Sequence, residues 1–162
     1  MTTPPHVFTT DDGSLADLPR IISFFHVAAM HVGVQQGSLF DVELALDEAC
    51  TNVFEHAYPE HHGALRLQVE AEGGDLVLTL EDWGRPFDPD CVATPDTAAP
   101  LCDRPIGGLG LYLIRQLMDD VRFTFDQSSN LLVMTKRDVI PQDATSLVGG
   151  DASPDNDDAC YS

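Results

Sequence analysis

Positive charge is scarce in this 162-residue chain. It has 8 Lys and Arg against 27 Asp and Glu, for a formal net charge of -19. Such a surface repels nucleic acid and anionic lipid, which argues against phosphate-backbone binding and membrane association. Lys136 is the only lysine, so a G-x-x-x-x-G-K-[ST] phosphate loop is excluded, and no G-x-G-x-x-G follows a βαβ pattern. The four cysteines, Cys50, Cys91, Cys102 and Cys160, lack C-x-x-C spacing. His61 and His62 form a loop pair expected to face solvent rather than metal. The thiols therefore read as free and the compartment as reducing. No apolar run is long enough to span a bilayer and no secretory leader is visible, so a cytoplasmic protein is expected.

The chain length and an apolar fraction of 43% fit one domain with its own core. After Arg137 there is no base, while Asp138, Asp143, Asp151, Asp155, Asp157 and Asp158 accumulate among Gly, Ser, Pro and Ala. Residues 1–140 are thus expected to form the domain, and 141–162 an acidic, disordered, solubilising tail.

Hydrophobic spacing sets the expected elements. "HVFTT" is a short β-like stretch ending at Asp11-Asp12-Gly13. Ser14 can cap a helix to about Val34, with Leu18, Ile21, Ile22, Phe25, Ala29 and Val32 at helical spacing. "QQGS" breaks it, and Ser38 can cap a second helix that stops before Pro59. "ALRLQVEAE" and "DLVLTLED" alternate as strands around a Gly73-Gly74 turn. A long aperiodic connection precedes the helix of "GGLGLYLIRQLM", and "VRFTFDQ" and "NLLVMTKR" close as a hairpin. The order β-α-α-β-β-loop-α-β-β predicts a two-layer α/β sandwich. Its mixed sheet should be mostly antiparallel, with the helices on one face.

Three stretches carry residues that such a core does not require. In "LALDEACTNVFEHAY", an amphipathic helix pattern, Glu48, Asn52 and His56 recur at i, i+4 and i+8 as one polar stripe, while Asp47 and Glu55 fall off it and read as solvated. In "EDWGRPFDP", Asp82 ends a strand and Gly84 opens the long connection. In "GGLGLYL", Gly107, Gly108 and Gly110 lead into a helix, where unpaired amides and the positive dipole end favour phosphate. With so few bases, bound phosphate needs a metal, backbone amides, or Arg85 and Arg104. An amide oxygen from Asn52 suits Mg²⁺, and a carboxylate one turn earlier suits a base for in-line attack. Asp82 can accept a hydrogen bond from the exocyclic amine of adenine. Each patch alone has an ordinary reading: a solvated helix face, a turn aspartate, a helix start packed through glycine.

Taken together and in this order, the three stretches resemble the asparagine box and the two glycine boxes of the GHKL ATPase superfamily, the Bergerat fold shared by gyrase and histidine kinases. The wording E-A-x-T-N-x-x-x-H-[AG]-Y is most similar to the bacterial anti-sigma-factor serine/threonine-protein kinases, and the likeness extends to about Arg137. The resemblance implies an ATP- and Mg²⁺-dependent kinase with Glu48 as general base, Asn52 as the Mg²⁺ ligand and Asp82 on the adenine amine. Gly84 would admit the base, and residues 85–107 would form a lid. Gly108, Leu109 and Gly110 would offer backbone to the phosphates, with Arg104 beside them. Pro86 stands where the first glycine box usually has a second glycine, and which lid arginine meets the γ-phosphate stays open. The implied partners are a STAS-type anti-sigma antagonist as phosphoacceptor and a sigma factor. A homodimer is also implied, for which the apolar first helix has enough breadth. The rival readings are a nucleotide-gated binding module that transfers no phosphate, and a simple ATPase.

Overall fold

The computed structural model describes residues 4–86 and 109–142. Its chain order begins with β1 (His6–Gly13), α1 (Leu18–Val32) and α2 (Gln36–Asn52), followed by β2 (Gly63–Glu72) and β3 (Asp75–Asp82). It ends with α3 (Leu109–Leu117), β4 (Asp120–Phe125) and β5 (Asn130–Lys136). The five strands lie in the order β1-β2-β3-β5-β4, and every neighbouring pair is antiparallel. This is the expected two-layer α/β arrangement, with no parallel pair among the described strands.

The alternation of β2 and β3 explains the layering. Leu65, Leu67 and Val69, with Leu76, Leu78 and Leu80, are fully buried on one sheet face. They meet Ile21, Phe25, Ala28 and Ala29 of α1 and Val42, Ala45, Leu46 and Ala49 of α2. The alternate residues are mostly polar, with buried Val77 an exception, and Arg66 and Glu81, directly opposite in register, pair at 3.8 Å on that other face.

Local chemistry sets the element ends. Ser14 and Asp17 form a capping box on a short turn of 3₁₀ helix, Leu15–Asp17, that leads into α1. Gly33, at φ 84°, ends α1 in a left-handed conformation open to glycine. The helix thus stops at Val32, before "QQGS", whose Gln36, Gly37 and Ser38 lie inside α2. Ser38 is not the cap. Gln35 occupies that position without a side-chain bond, its amide donating to Val139 O at 2.8 Å and its carbonyl receiving Ser38 N–H at 3.0 Å. A backbone contact from the far end of the domain replaces the hydroxyl. Gly73, at φ 61°, makes the β2–β3 turn, and Gly74 O receives the amides of Val139 and Ile140. The chain is therefore pinned to this turn just before the acidic segment, whose residues from 143 onward lie outside those described. Lys136 Nζ donates to Leu117 O at 2.6 Å at the end of α3 and lies 3.6 Å from Asp41 of α2, joining three elements.

Candidate active site

The last turn of the α2 rod widens into a π-type turn, Val53–Ala57. Glu48 and Asn52 lie before it and are half-buried, whereas His56 lies within it and is exposed. The polar stripe is thus shorter than the sequence spacing implies. What faces Glu48 and Asn52 is the start of α3. A Cβ placed on Gly110 would fall 2.6 Å from Glu48 Oε2 and 3.6 Å from both Asn52 Oδ1 and Nδ2. Only glycine allows this approach, so two of the three sequence stretches meet here. Burial, then the charges of Asp47 and Glu55, push the Glu48 carboxyl above the ordinary glutamate range. Chemically, a carboxylate that holds its proton more tightly is a better base near neutral pH.

The third stretch reaches the same cleft. A cleft partly open to solvent is lined by Ala49, Asn52, Asp82, Arg85, Ile114 and Phe123 among others. Its walls are mostly apolar, with Asn52, Asp82 and Arg85 as the polar lining residues, as expected of a site for a flat heterocycle. Asp82 is 7% exposed. Its Oδ1 accepts the Gly84 N–H at 2.9 Å and the Asn130 side-chain amide at 2.8 Å. Burial raises its pKa, and those two hydrogen bonds oppose the rise. The Gly84 N–H bond is the ordinary turn contact expected of an Asp-x-Gly sequence, and the cavity wall is an additional role for the same carboxylate.

Gly84 has a packing reason of its own: a Cβ there would meet Ala57 O at 2.5 Å. The next amide, Arg85 N–H, donates to that same carbonyl at 3.0 Å. Arg85 itself is exposed and lines the Asp82 side of the cavity. Leu109 is 45% exposed at the start of α3. Arg104, Gly107 and Gly108, like most of the 85–107 segment, lie outside the described residues. Cys50 is a free thiol on the buried face of α2, and burial pushes its pKa upward, which suits packing rather than reactivity.

Two residues beside the site carry no assigned role in the sequence reading, although Tyr58 is the last residue of the E-A-x-T-N-x-x-x-H-[AG]-Y pattern. Tyr58 is buried with its ring against Gly63; its hydroxyl donates to Ala64 O and accepts the Trp83 N–H, both at 2.8 Å. It ties the end of α2 to the start of β2 and the end of β3, beside Asp82. Asn130, the first residue of "NLLVMTKR", reads in the sequence only as part of a hairpin. It opens β5 directly opposite Asp82.

Residues 13–136 match the family described as the histidine kinase-like ATPase domain. The chain belongs to that family. Within it, the chain is 35% identical over 112 residues to the serine-protein kinase RsbW of Bacillus cereus strain AH820, covering 67% of this chain and 69% of the relative. The RsbW proteins of Bacillus anthracis and of Bacillus thuringiensis strain Al Hakam match to the same extent. The crystal structure of the RsbU and RsbW domains of a Mycobacterium tuberculosis protein has the same fold, with a TM-score of 0.57 at 16% identity. That match covers 83% of this chain, which spans about a third (32%) of the solved one. This histidine kinase-like ATPase is therefore a homologue of the RsbW serine-protein kinases. Among its described residues, no helix is long and apolar enough to cross a membrane.

Proposed function

We propose that this histidine kinase-like ATPase transfers the γ-phosphoryl group of ATP to a serine or threonine hydroxyl of a STAS-type anti-sigma antagonist, and that it also holds a sigma factor. The observation that carries the reading is the contact of Gly110 with Glu48 and Asn52, because it sets a half-buried carboxylate and an amide against the start of a helix. A phosphate received at that helix start would lie beside both side chains. Glu48 then accepts the proton of the attacking hydroxyl, and its raised pKa fits that task. Asp82 accepts from the exocyclic amine of the base in the apolar cavity, while Leu109 and Gly110, with Gly108 before them, offer backbone to the phosphates. Arg104 or Arg85 is the proposed cation for the terminal phosphate.

The donors at the phosphate end are hard oxygens, and one amide oxygen suits an ion that keeps most of its water, so the site fits Mg²⁺. Asn52 Oδ1 would hold it, and the ion would neutralise charge on the phosphate oxygens. We assign the nucleotide domain to residues 1–140, with a lid over about 85–107, and the acidic residues 141–162 to a solubilising tail. A cytoplasmic location follows from the kinase reading.

The test compares ATP turnover by the full chain alone with transfer to a purified STAS-type acceptor. Slow turnover alone and stoichiometric phosphoserine or phosphothreonine on the acceptor is the expected result. Rapid phosphate release without acceptor would replace the kinase reading with a simple ATPase.

A further inference from the structure

Asp82 and Asn130 are the buried polar residues of the described chain, 7% and 8% exposed, and they face each other across the β3–β5 ladder. The Asn130 amide lies within hydrogen-bond distance of three acceptors: Asp82 Oδ1 at 2.8 Å, Gly84 O at 3.3 Å and Arg85 O at 3.3 Å. A carboxylate and two carbonyls can only accept, so the nitrogen end of the Asn130 side chain must face them. Asn130 therefore has one possible orientation here, with its strongest bond to the charged group.

This has a consequence for Asp82. Both of its hydrogen bonds from the protein fall on Oδ1, and among the described residues none falls on Oδ2. Asp82 also lines the cavity. We infer that Asn130 is a positioning residue for nucleobase selection: by holding Oδ1 it fixes the carboxylate rotamer and leaves Oδ2 as the acceptor for an exocyclic amine. The same amide ties down the carbonyls of Gly84 and Arg85, so the acceptor and the backbone leaving β3 are set by one side chain. Asn130 touches no substrate in this role and acts only through Asp82. None of the neighbouring groups substitutes for it. Glu81 raises the Asp82 pKa by like charge, and Tyr58 gives its hydroxyl hydrogen to Ala64 O. Arg85 lines the cavity but makes no ion pair with Asp82 among the described residues. The inference rests on Asp82 as the base-reading residue.

The experiment is a double-mutant cycle on the full chain, with ATP and GTP affinities measured calorimetrically for Asn130→Ala, Asp82→Asn and the double variant. Asn130→Thr, which keeps a donor, is the second variant should Asn130→Ala fold poorly. Asn130→Ala is expected to lose about 10-fold in ATP affinity and most of the preference over GTP, the scale of one bond to a charged group. In the Asp82→Asn background it should cost almost nothing further, and Asn130→Thr should recover part of the loss. The pH below which ATP affinity falls should also rise in Asn130→Ala, because a bond favouring the ionised carboxyl is gone. Equal losses in both backgrounds, or intact selectivity in Asn130→Ala and Asn130→Thr, would overturn the inference alone. Intact selectivity in Asp82→Asn would overturn the reading of Asp82, and this inference with it.

Discussion

Replacing Gly110 by alanine should affect catalysis and stability in opposite directions. The added Cβ would lie 2.6 Å from Glu48 Oε2, about 0.8 Å inside the 3.4 Å at which ordinary contact begins. The Glu48 carboxylate is the far end of a flexible side chain, so it moves rather than the two helices. Asn52, at 3.6 Å, is already in ordinary contact and stays. A displacement near 1 Å of a group that must meet the attacking hydroxyl costs up to about 10²-fold in rate. Phosphoryl transfer to the acceptor should therefore fall 10- to 100-fold, with ATP affinity within about threefold of the parent. Stability should not fall with it. Alanine is the better helix former, by about 0.5 kcal/mol in the first turn, which corresponds to an upward shift of roughly 1–2 °C in Tm. Transfer is read with γ-labelled ATP, affinity by calorimetry and Tm by circular dichroism. Unchanged transfer would show that the Glu48 carboxylate need not sit against the start of α3, and the base assignment would fail. A loss of stability matching the loss of rate would make Gly110 a packing residue only.

Glu48→Gln should keep ATP binding and lose about 10²–10⁴-fold in transfer. Burial, Asp47 and Glu55 hold the folded pKa of Glu48 above its unfolded value, so its stabilisation is present below the unfolded pKa and lost as pH rises through the folded one. At neutral pH the charge therefore opposes folding, and Glu48→Gln should raise Tm; a lowered Tm with normal transfer would contradict both points. For the parent, transfer should fall on acidification with an inflection above the usual glutamate range, and a flat profile across that range would count against Glu48 as base. Tyr58→Phe removes both bonds of the hydroxyl and leaves the Trp83 N–H without its partner. It should cost about 1–3 kcal/mol, read as a lower denaturation midpoint, and an unchanged midpoint would mean that water replaces the hydroxyl at no cost.

What the sequence made legible follows from how local each signal is. α1 and β3 are strongly periodic, and β3 spans Asp75–Asp82, the alternating stretch "DLVLTLED". Ser14 announced its helix because the capping box lies within four residues. Ser38 misled for the same reason: the group that fixes the start of α2, Val139 O, is distant in sequence. The insertion of β5 between β3 and β4 leaves no mark in either strand's pattern, because pairing partners are chosen by tertiary packing. The site followed the same rule. Glu48, Asn52 and Asp82 stood out as polar residues on apolar elements, and Gly110 as a glycine at a helix start. Asn130 did not, since an asparagine after two serines reads as turn chemistry. The short contact between Glu48 and Gly110 depends on how α3 crosses α2, which no spacing within either segment encodes.

The most direct test of the central claim is calorimetric titration of ATP into the full chain and into Asn52→Ala, each with and without Mg²⁺. The account predicts Mg²⁺-dependent binding of ATP by the parent, weaker binding of GTP, and loss of the Mg²⁺-dependent binding in Asn52→Ala. No ATP binding by the parent, or equal Mg²⁺-dependent affinity in Asn52→Ala, would contradict it.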